Sequence, residues 1–209
     1  MVAYVIISIL AYCIGSISFS VIFSKKFAGF DVREKGSKNA GSTNVLRTVG
    51  KKVAAITLIC DILKGIVAIL IAFVVGKIFT EINGATLVQL AGFFAIFGHT
   101  FPIFFGFRGG KGVATALGVL LLLNWQIGLI CLVFALVLMI LTRMVSLGSI
   151  MAAILFPVLT VFIHANYLVE GSYIIFGIIT AVLVIFNHRA NLKRILSGTE
   201  SKLGSKKLK

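Results

Sequence analysis

The sequence predicts an all-α membrane protein with seven transmembrane helices, on the basis of its hydropathy, its charge distribution and its long apolar runs. Of its 209 residues, 59% are hydrophobic and only 12% are charged. The apolar runs exceed what the core of a soluble domain uses, and they lack the alternation of a transmembrane β-barrel. We expect one integral-membrane domain over residues 1–209.

Seven apolar stretches account for the predicted spans. A full crossing needs about 20 residues, and residues 113–142 as one helix would be about 45 Å long, too long for an untilted span. We therefore divide that stretch at Asn124–Gln126, where Trp125 suits the membrane interface. Residues 1–24 lack the basic start of a signal peptide and are expected to remain as the first helix. The stretches are 2–24, 53–76, 84–105, 113–123, 125–142, 147–168 and 172–187.

The positions of the lysine and arginine residues support the count of seven spans and indicate which ends of the helices face the cytoplasm. With the amino terminus outside the cytoplasm, 18 of the 20 basic residues fall on the cytoplasmic side, while Lys64 lies within a helix and Lys77 lies outside. Cytoplasmic ends of membrane helices are enriched in these residues, so we predict a cytoplasmic carboxyl terminus. The basic tail 197–209 is expected to be flexible and to lie along anionic membrane lipid. The net charge of +14 then requires no nucleic-acid partner.

Neither a metal nor another cofactor is predicted. Cys13, Cys60 and Cys131 lie within apolar stretches and form no CxxC pair, so neither a disulfide framework nor a metal site follows. Nothing in the sequence requires an oligomer, and it is compatible with a monomer.

The first polar stretch, "EKGSKNAGSTNVLR" (34–47), has the composition of an anion-binding loop. Gly36 and Gly41 permit tight turns whose backbone amides can surround an anion, and Arg47 can add a bidentate contact to phosphate. A helix cap formed by one of the last three short polar residues is the alternative. The short polar side chains are Ser37, Asn39, Ser42, Thr43 and Asn44.

The second polar stretch, "GHTFPIFFGFRGGKGVATALG" (98–118), interrupts the apolar runs with a glycine cluster around Lys111. It does not match the nucleotide-binding GxxxxGK[ST] pattern. Gly109, Gly110 and Gly112 would let the backbone approach a phosphate, and a helix starting at Val113 would direct its amides at the anion. The alternative is a loop that only orients the protein, but orientation requires charge rather than flexibility.

The third polar stretch, "NHRANLKRILSGTE" (187–200), carries a histidine and an asparagine three residues apart. On a continuing helix His188 and Asn191 would share a face, and together they could orient a hydroxyl or share its proton. Arg189 and Arg194 are equally suited to binding lipid headgroups.

Two polar features within the apolar stretches each allow two interpretations from the sequence. Asp61 and Lys64 lie three residues apart in the second span, as either a functional intramembrane pair or a structural one. His99 either ends its helix or takes part in chemistry.

Position relative to the membrane adds and removes further candidates. Arg143 and Ser146 face the cytoplasm and could join the site. His164 and Glu170 fall on the opposite side and are excluded.

Together these stretches resemble a known family. "GSKNAGSTNVLR", "GHTFPIFFGFRGGKGVAT" and "HRANLKRILSGTE" resemble the three signature motifs of the bacterial membrane acyl-phosphate:glycerol-3-phosphate acyltransferases, and "CDILKG" and "RMVSLGS" resemble its secondary motifs. The resemblance covers essentially the whole chain. It implies a multi-pass protein of the bacterial cell membrane whose cytoplasmic face transfers an acyl group from acyl phosphate to the 1-position of glycerol 3-phosphate, the first acylation of phospholipid synthesis.

The resemblance also assigns roles to individual residues. Ser37, Arg47 and Lys111 match positions that hold phosphate, while His188 and Asn191 match positions that hold or orient glycerol 3-phosphate. We rank these five as catalytic and the other candidates as substrate-binding. The latter are Gly36, Asn39, Gly41, Thr43, Asn44, Gly109, Gly110, Gly112 and Ser146.

Several other functions are disfavoured by the same residues. A transporter needs a site reached from both sides, whereas these polar stretches cluster at one face. A protein that only docks lipid headgroups would not need three groups of neutral donors. No histidine begins the HxxxxD pattern of the glycerolipid acyltransferases that use it, and no serine occupies a GxSxG turn. Direct acyl transfer without a covalent enzyme intermediate is therefore expected.

Overall fold

The computed structural model describes residues 1–163 and 173–204, and every regular element in those ranges is a helix. Two short 3₁₀ helices, Val32–Glu34 and Ile103–Phe105, supplement the α-helices. The α-helices are α1 (Val2–Gly15), α2 (Phe19–Ala28), α3 (Ser42–Thr48), α4 (Lys51–Ile78), α5 (Gly84–Thr100), α6 (Val113–Leu123), α7 (Trp125–Thr142), α8 (Val145–Phe162), α9 (Tyr173–Asn187) and α10 (Arg189–Leu196).

The predicted helical membrane fold is confirmed, but not the count of seven full-length spans. Within residues 1–163 and 173–204, five helical segments are long and apolar enough to cross a membrane, or six if the bent pair α9–α10 counts as one. The predicted fourth span is α6, whose 11 residues extend only about 16 Å. The orientation of the termini remains a prediction. His164 and Glu170 lie outside the described residues.

The predicted first helix, 2–24, is broken into α1 and α2 at Ser16–Ser18, which corrects the expectation of one continuous element. Partners from distant helices stabilise the break: the Lys64 ammonium donates to the Ile17 carbonyl oxygen at 2.8 Å. The Ser16 hydroxyl accepts from the Ile103 amide at 3.4 Å. The first contact satisfies a backbone carbonyl at the break, and the second ties the break to the 3₁₀ helix Ile103–Phe105.

The predicted division near Asn124 is present. The Asn124 side chain accepts from the Ile127 amide at 3.1 Å and so caps the start of α7, while Trp125 is exposed. The short α6 packs against α4, α5 and α7, so it lies inside the bundle. Lys111 and Gly112, which directly precede α6, are therefore held at the interior of the protein.

At the other end of the chain, α9 and α10 meet at a bend of 64°. The straight helix through His188 on which a shared face for His188 and Asn191 depended is absent, because the chain turns at that residue. The tail predicted to be flexible from residue 197 is anchored further on: the Glu200 carboxylate is buried, and the Leu203 amide donates to the Arg143 carbonyl oxygen at 2.7 Å. Residues 205–209 lie outside the described part of the chain.

Candidate active site

A cavity of about 590 Å³ opens at the end of the bundle where the three polar stretches meet, hereafter the polar end. It continues between α4, α6, α7, α8 and α9, where its walls are mostly apolar. The residues around its polar end are Ser37, Asn39, Gly41, Ser42, Thr43, Asn44, Arg47, Lys111, Gly112, Ser146, His188, Asn191 and Glu200. The fold thus brings together most of the predicted site residues, although Gly36, Gly109 and Gly110 do not line the cavity.

Asn44 organises the first loop. It is almost fully buried, and its side-chain oxygen accepts from the Ser37 amide at 2.9 Å. Its side-chain nitrogen donates to the carbonyl oxygens of Val32, Lys35 and Asn39 at 2.8, 3.0 and 3.1 Å. Because these contacts use both ends of the amide on backbone, Asn44 acts by fixing the loop that carries Ser37, not by capping α3.

Glycines shape the same loop and the start of α3. Gly36 has φ +62°, and a side chain there would collide with Asn44. Gly41 is the N-cap of α3 and no side chain caps that helix, so the alternative of a cap by Ser42, Thr43 or Asn44 does not hold. Gly36 and Gly41 therefore allow the backbone conformation of the first loop and of the start of α3.

The second loop is held against the end of α5. The Gly109 amide donates to the Thr100 carbonyl oxygen at 3.1 Å, and the Gly110 amide donates to the His99 carbonyl oxygen at 3.0 Å. A Cβ atom on Gly109 or Gly110 would overlap the backbone or ring of His99. Since both amides already have partners, we assign these glycines to close packing, which differs from the predicted approach to phosphate. Of the three glycines around Lys111, only Gly112 lines the cavity; it is the N-cap of α6 and has φ +86°.

Arg33 joins the first loop to the second. Its guanidinium pairs with the Asp31 carboxylate at 2.8 Å and donates to the carbonyl oxygens of Phe105 and Arg108 at 2.6 and 3.1 Å. The Asp31 carboxylate has a lowered pKa because Arg33 hydrogen-bonds to it. This pair fixes the distance between the loops that carry Ser37 and Lys111.

The third stretch contributes a chain of hydrogen bonds around a buried carboxylate. The Lys111 ammonium donates to the Asn191 side-chain oxygen, and the Asn191 side-chain nitrogen donates to Glu200 Oε1 at 2.7 Å. The Ser146 hydroxyl donates to the same oxygen at 2.7 Å, and Arg194 Nε donates to Glu200 Oε2 at 2.8 Å. Glu200 thereby connects α8, α10 and the second loop, and it orients Asn191 towards Lys111.

Sequence reasoning did not include Glu200 among the site residues. A signal was available, because the chain has only six acidic residues and Glu200 ends a strongly basic stretch. An isolated carboxylate among basic residues is a candidate for a specific pairing role.

His188 is held in one tautomer. Its Nδ1 lies 2.8 Å from the Val184 carbonyl oxygen, which can only accept, so Nδ1 carries the proton and Nε2 is left as an acceptor. Burial, together with the nearby Lys111 ammonium, lowers the pKa of His188 to about 4. A neutral imidazole with a free Nε2 can accept a hydrogen bond from a substrate hydroxyl.

Asp61, Lys64 and His99 form a buried cluster, of which Asp61 and His99 line the cavity and Lys64 does not. The Lys64 ammonium lies 3.0 Å from Asp61 Oδ1, and His99 Nδ1 lies 3.4 Å from the same oxygen. All three side chains are buried, and the lysine also bonds to the break between α1 and α2. We assign the Asp61–Lys64 pair a structural role, because it satisfies a carbonyl that the break exposes. His99 lies in the last turn of α5, and its carbonyl oxygen accepts the hydrogen bond that supports the second loop.

Lys111 has the electrostatic environment of an anion-binding site. Burial is the main cause that lowers the pKa of Lys111 to about 8; the Glu200 carboxylate opposes this shift, and the cations of Arg194 and Arg47 add to it. A phosphate bound here would compensate for the cost of burying the ammonium. The free site therefore holds a cation that is readily stabilised by an anionic ligand.

The lowered pKa predicts a pH dependence. If the charged form of Lys111 binds substrate phosphate, kcat/KM should fall as the pH rises through about 8, because the ammonium then loses its proton. The neutral His188 should contribute no titration near neutral pH. Lys111→Arg should remove this alkaline limb, since arginine stays charged. An unchanged limb in Lys111→Arg would assign the titration to another group.

Three comparisons with known proteins agree on the family. The family profile described as glycerol-3-phosphate acyltransferase matches residues 5–198. The glycerol-3-phosphate acyltransferase of Clostridioides difficile (strain 630) is 43% identical over 209 residues, covering 98% of each chain. That of Nostoc sp. (strain PCC 7120 / SAG 25.82 / UTEX 2576) is 45% identical over 210 residues, covering 95% of this chain and 91% of the relative.

Solved structures show the same likeness. The fold is similar to crystal structures of PlsY (YgiH), an integral membrane glycerol 3-phosphate acyltransferase. Its glycerol 3-phosphate form has a TM-score of 0.84 at 35% identity and covers 96% of each chain. Its lysophosphatidic acid form has a TM-score of 0.82 at 34% identity, covering 96% of this chain and 95% of the other.

Proposed function

Because this chain belongs to the glycerol-3-phosphate acyltransferase family, we propose that it transfers a fatty acyl group from acyl phosphate to the 1-position hydroxyl of glycerol 3-phosphate. The products are lysophosphatidic acid and inorganic phosphate. The observation that carries this proposal is the form of the cavity, which joins a cluster of phosphate-binding groups to an apolar groove. That form suits two phosphorylated reactants of which one carries an acyl chain.

In this proposal the polar end divides into two halves. The phosphate of acyl phosphate lies among Ser37, Arg47, Lys111 and the first amides of α6, where the positive end of the helix adds to the charge of the side chains. Glycerol 3-phosphate lies beside His188 and Asn191, with its 1-hydroxyl directed at the acyl carbonyl carbon.

The reaction then needs no covalent enzyme intermediate. The hydroxyl oxygen attacks the carbonyl carbon, and the bond between that carbon and the bridging phosphate oxygen breaks with its electron pair remaining on phosphate. The hydroxyl proton passes to the departing phosphate, while His188 Nε2 accepts a hydrogen bond that orients the hydroxyl. Lys111 and Arg47 stabilise the charge that accumulates on the leaving group.

The same proposal places the two substrates relative to the membrane. The acyl chain stays in hydrocarbon while its phosphate reaches the polar end, which we place at the cytoplasmic face of the bacterial cell membrane. The distribution of lysine and arginine supports that orientation. Transfer to a hydroxyl of soluble glycerol 3-phosphate requires both environments to meet at one site.

Kinetics with the purified protein test the proposal. Direct transfer predicts turnover with acyl phosphate and glycerol 3-phosphate, with intersecting double-reciprocal plots that indicate a ternary complex. Incubation with radiolabelled acyl phosphate alone should leave the protein unlabelled. Parallel plots together with stoichiometric labelling would make a serine or cysteine the acyl acceptor, while turnover with an acyl thioester only would replace the proposed donor.

A further inference from the structure

The apolar part of the cavity has a defined depth. On α8 its wall runs from Ser146 at the polar end to Phe156, ten residues later, and the α-helical rise makes this distance about 15 Å. The hydrocarbon core of a bilayer is about 30 Å thick, so one leaflet is about 15 Å. The groove is therefore as deep as the layer that one lipid acyl chain fills.

Small side chains keep the middle of the groove open. Ala135 on α7, Ala152 and Ala153 on α8 and Ala181 on α9 line this section. Ser149 directs its hydroxyl to the Val145 carbonyl oxygen at 3.0 Å, so it offers the groove little polarity. A saturated chain can lie against these walls without displacing a bulky group.

The far end is closed by an aromatic cluster. Phe156 is 2% exposed and lines the cavity, and its ring packs edge-on against Tyr173 and Phe176 at centroid distances of 5.7 and 6.0 Å. Tyr173 and Phe176 stack on each other behind it and do not line the cavity. Phe156 therefore cannot move away from the groove without displacing two further rings.

The groove is accessible from the side. Leu58 on α4 and Leu136 on α7 line the cavity, and both are nearly half exposed on the surface that faces lipid. An acyl chain can therefore enter laterally from the leaflet, with its terminal methyl group nearest Phe156.

We infer that Phe156 is the residue that sets acyl-chain length in this enzyme, by closing the groove about one leaflet below the phosphate-binding side chains. This inference rests on the proposed function, because it takes the groove to hold the acyl chain of the donor. A chain too long for the groove must bend or displace the aromatic cluster. A chain that is too short leaves apolar wall unfilled and loses the contribution of each missing methylene.

Two substitutions move the end of the groove in opposite directions. Phe156→Ala lengthens it, so the preferred chain should become longer, and Ala152→Phe blocks it halfway, so the preferred chain should become shorter. One methylene in an apolar pocket changes specificity about tenfold or more, so the ratio of kcat/KM between neighbouring chain lengths should change by at least about tenfold. Phe162→Ala is the matched control, because it removes a phenylalanine ring of the same helix that is exposed and does not line the groove.

The measurement is kcat/KM of the full-length protein in mixed micelles, with glycerol 3-phosphate and saturated acyl phosphates from octanoyl to eicosanoyl. Opposite shifts of the optimum in Phe156→Ala and Ala152→Phe, with an unshifted optimum in Phe162→Ala, are the expected result. Should Phe156→Ala fail to fold, Phe156→Leu and Ala152→Phe decide the question. Turnover with an unchanged chain profile in the folded variants would overturn the length assignment alone. Absence of wild-type turnover with every acyl phosphate would overturn the proposed function and this inference together.

Discussion

Replacing Lys111 by methionine should lower kcat about 30- to 1,000-fold, which corresponds to about 2–4 kcal/mol of lost transition-state stabilisation. The ammonium is directed into the cavity and contacts the Asn191 side chain, at the place we assign to the leaving phosphate. Methionine has a similar length and no charge, so the packing of the second loop should persist. The measurement is steady-state turnover, together with the melting temperature in the same micelles.

Lys77→Met provides the matched control for that experiment. Lys77 lies in the last turn of α4, at the end of the bundle opposite the polar end, where its side chain is exposed. Removing this charge should change neither kcat nor the melting temperature appreciably. A folded Lys111→Met protein with nearly wild-type turnover would contradict the assignment of Lys111 to the phosphate.

Glu200→Gln is expected to reduce both stability and activity. The carboxylate accepts hydrogen bonds from Ser146, Asn191 and Arg194, and an amide has only one oxygen with which to accept them. A buried donor left without a partner costs about 1–3 kcal/mol. Because Asn191 would lose its fixed orientation, kcat should fall about 10- to 100-fold in the fraction that remains folded.

Glu34→Gln separates this effect from a simple change of charge. Glu34 is an exposed carboxylate in the 3₁₀ helix Val32–Glu34, so its neutralisation should leave melting temperature and turnover unchanged. If Glu200→Gln matched this control in both measurements, the hydrogen bonds around Glu200 would not orient the site. Loss of stability with normal kcat would restrict Glu200 to a role in folding.

The sequence predicted those parts of the candidate site whose chemistry depends on the types of residue in one stretch of the chain. Clusters of glycine, short polar side chains and basic residues within apolar runs indicate an anion site near a membrane, and the fold places most of those residues around one cavity. The structure changes the role of three of these residues. Gly109 and Gly110 pack against His99 at the end of α5, and Asn44 bonds to the backbone of its own loop. These contacts depend on how each loop folds back on itself, which residue types alone do not indicate.

The sequence by itself determined that the protein is helical and embedded in a membrane, because hydropathy is a property of each segment and apolar runs must satisfy their backbone internally. It also determined the division of the chain at Asn124, where a capping residue meets an interfacial tryptophan. Only the tertiary structure decided the breaks at Ser16–Ser18 and His188, the shared carboxylate of Glu200 and the depth of the groove. These features depend on partners such as Lys111 and Asn191, which are 80 residues apart, or Ser146 and Glu200, which are 54 apart. Local patterns do not specify which distant groups meet, since hydrogen bonds and close packing between helices are fixed only when the bundle forms.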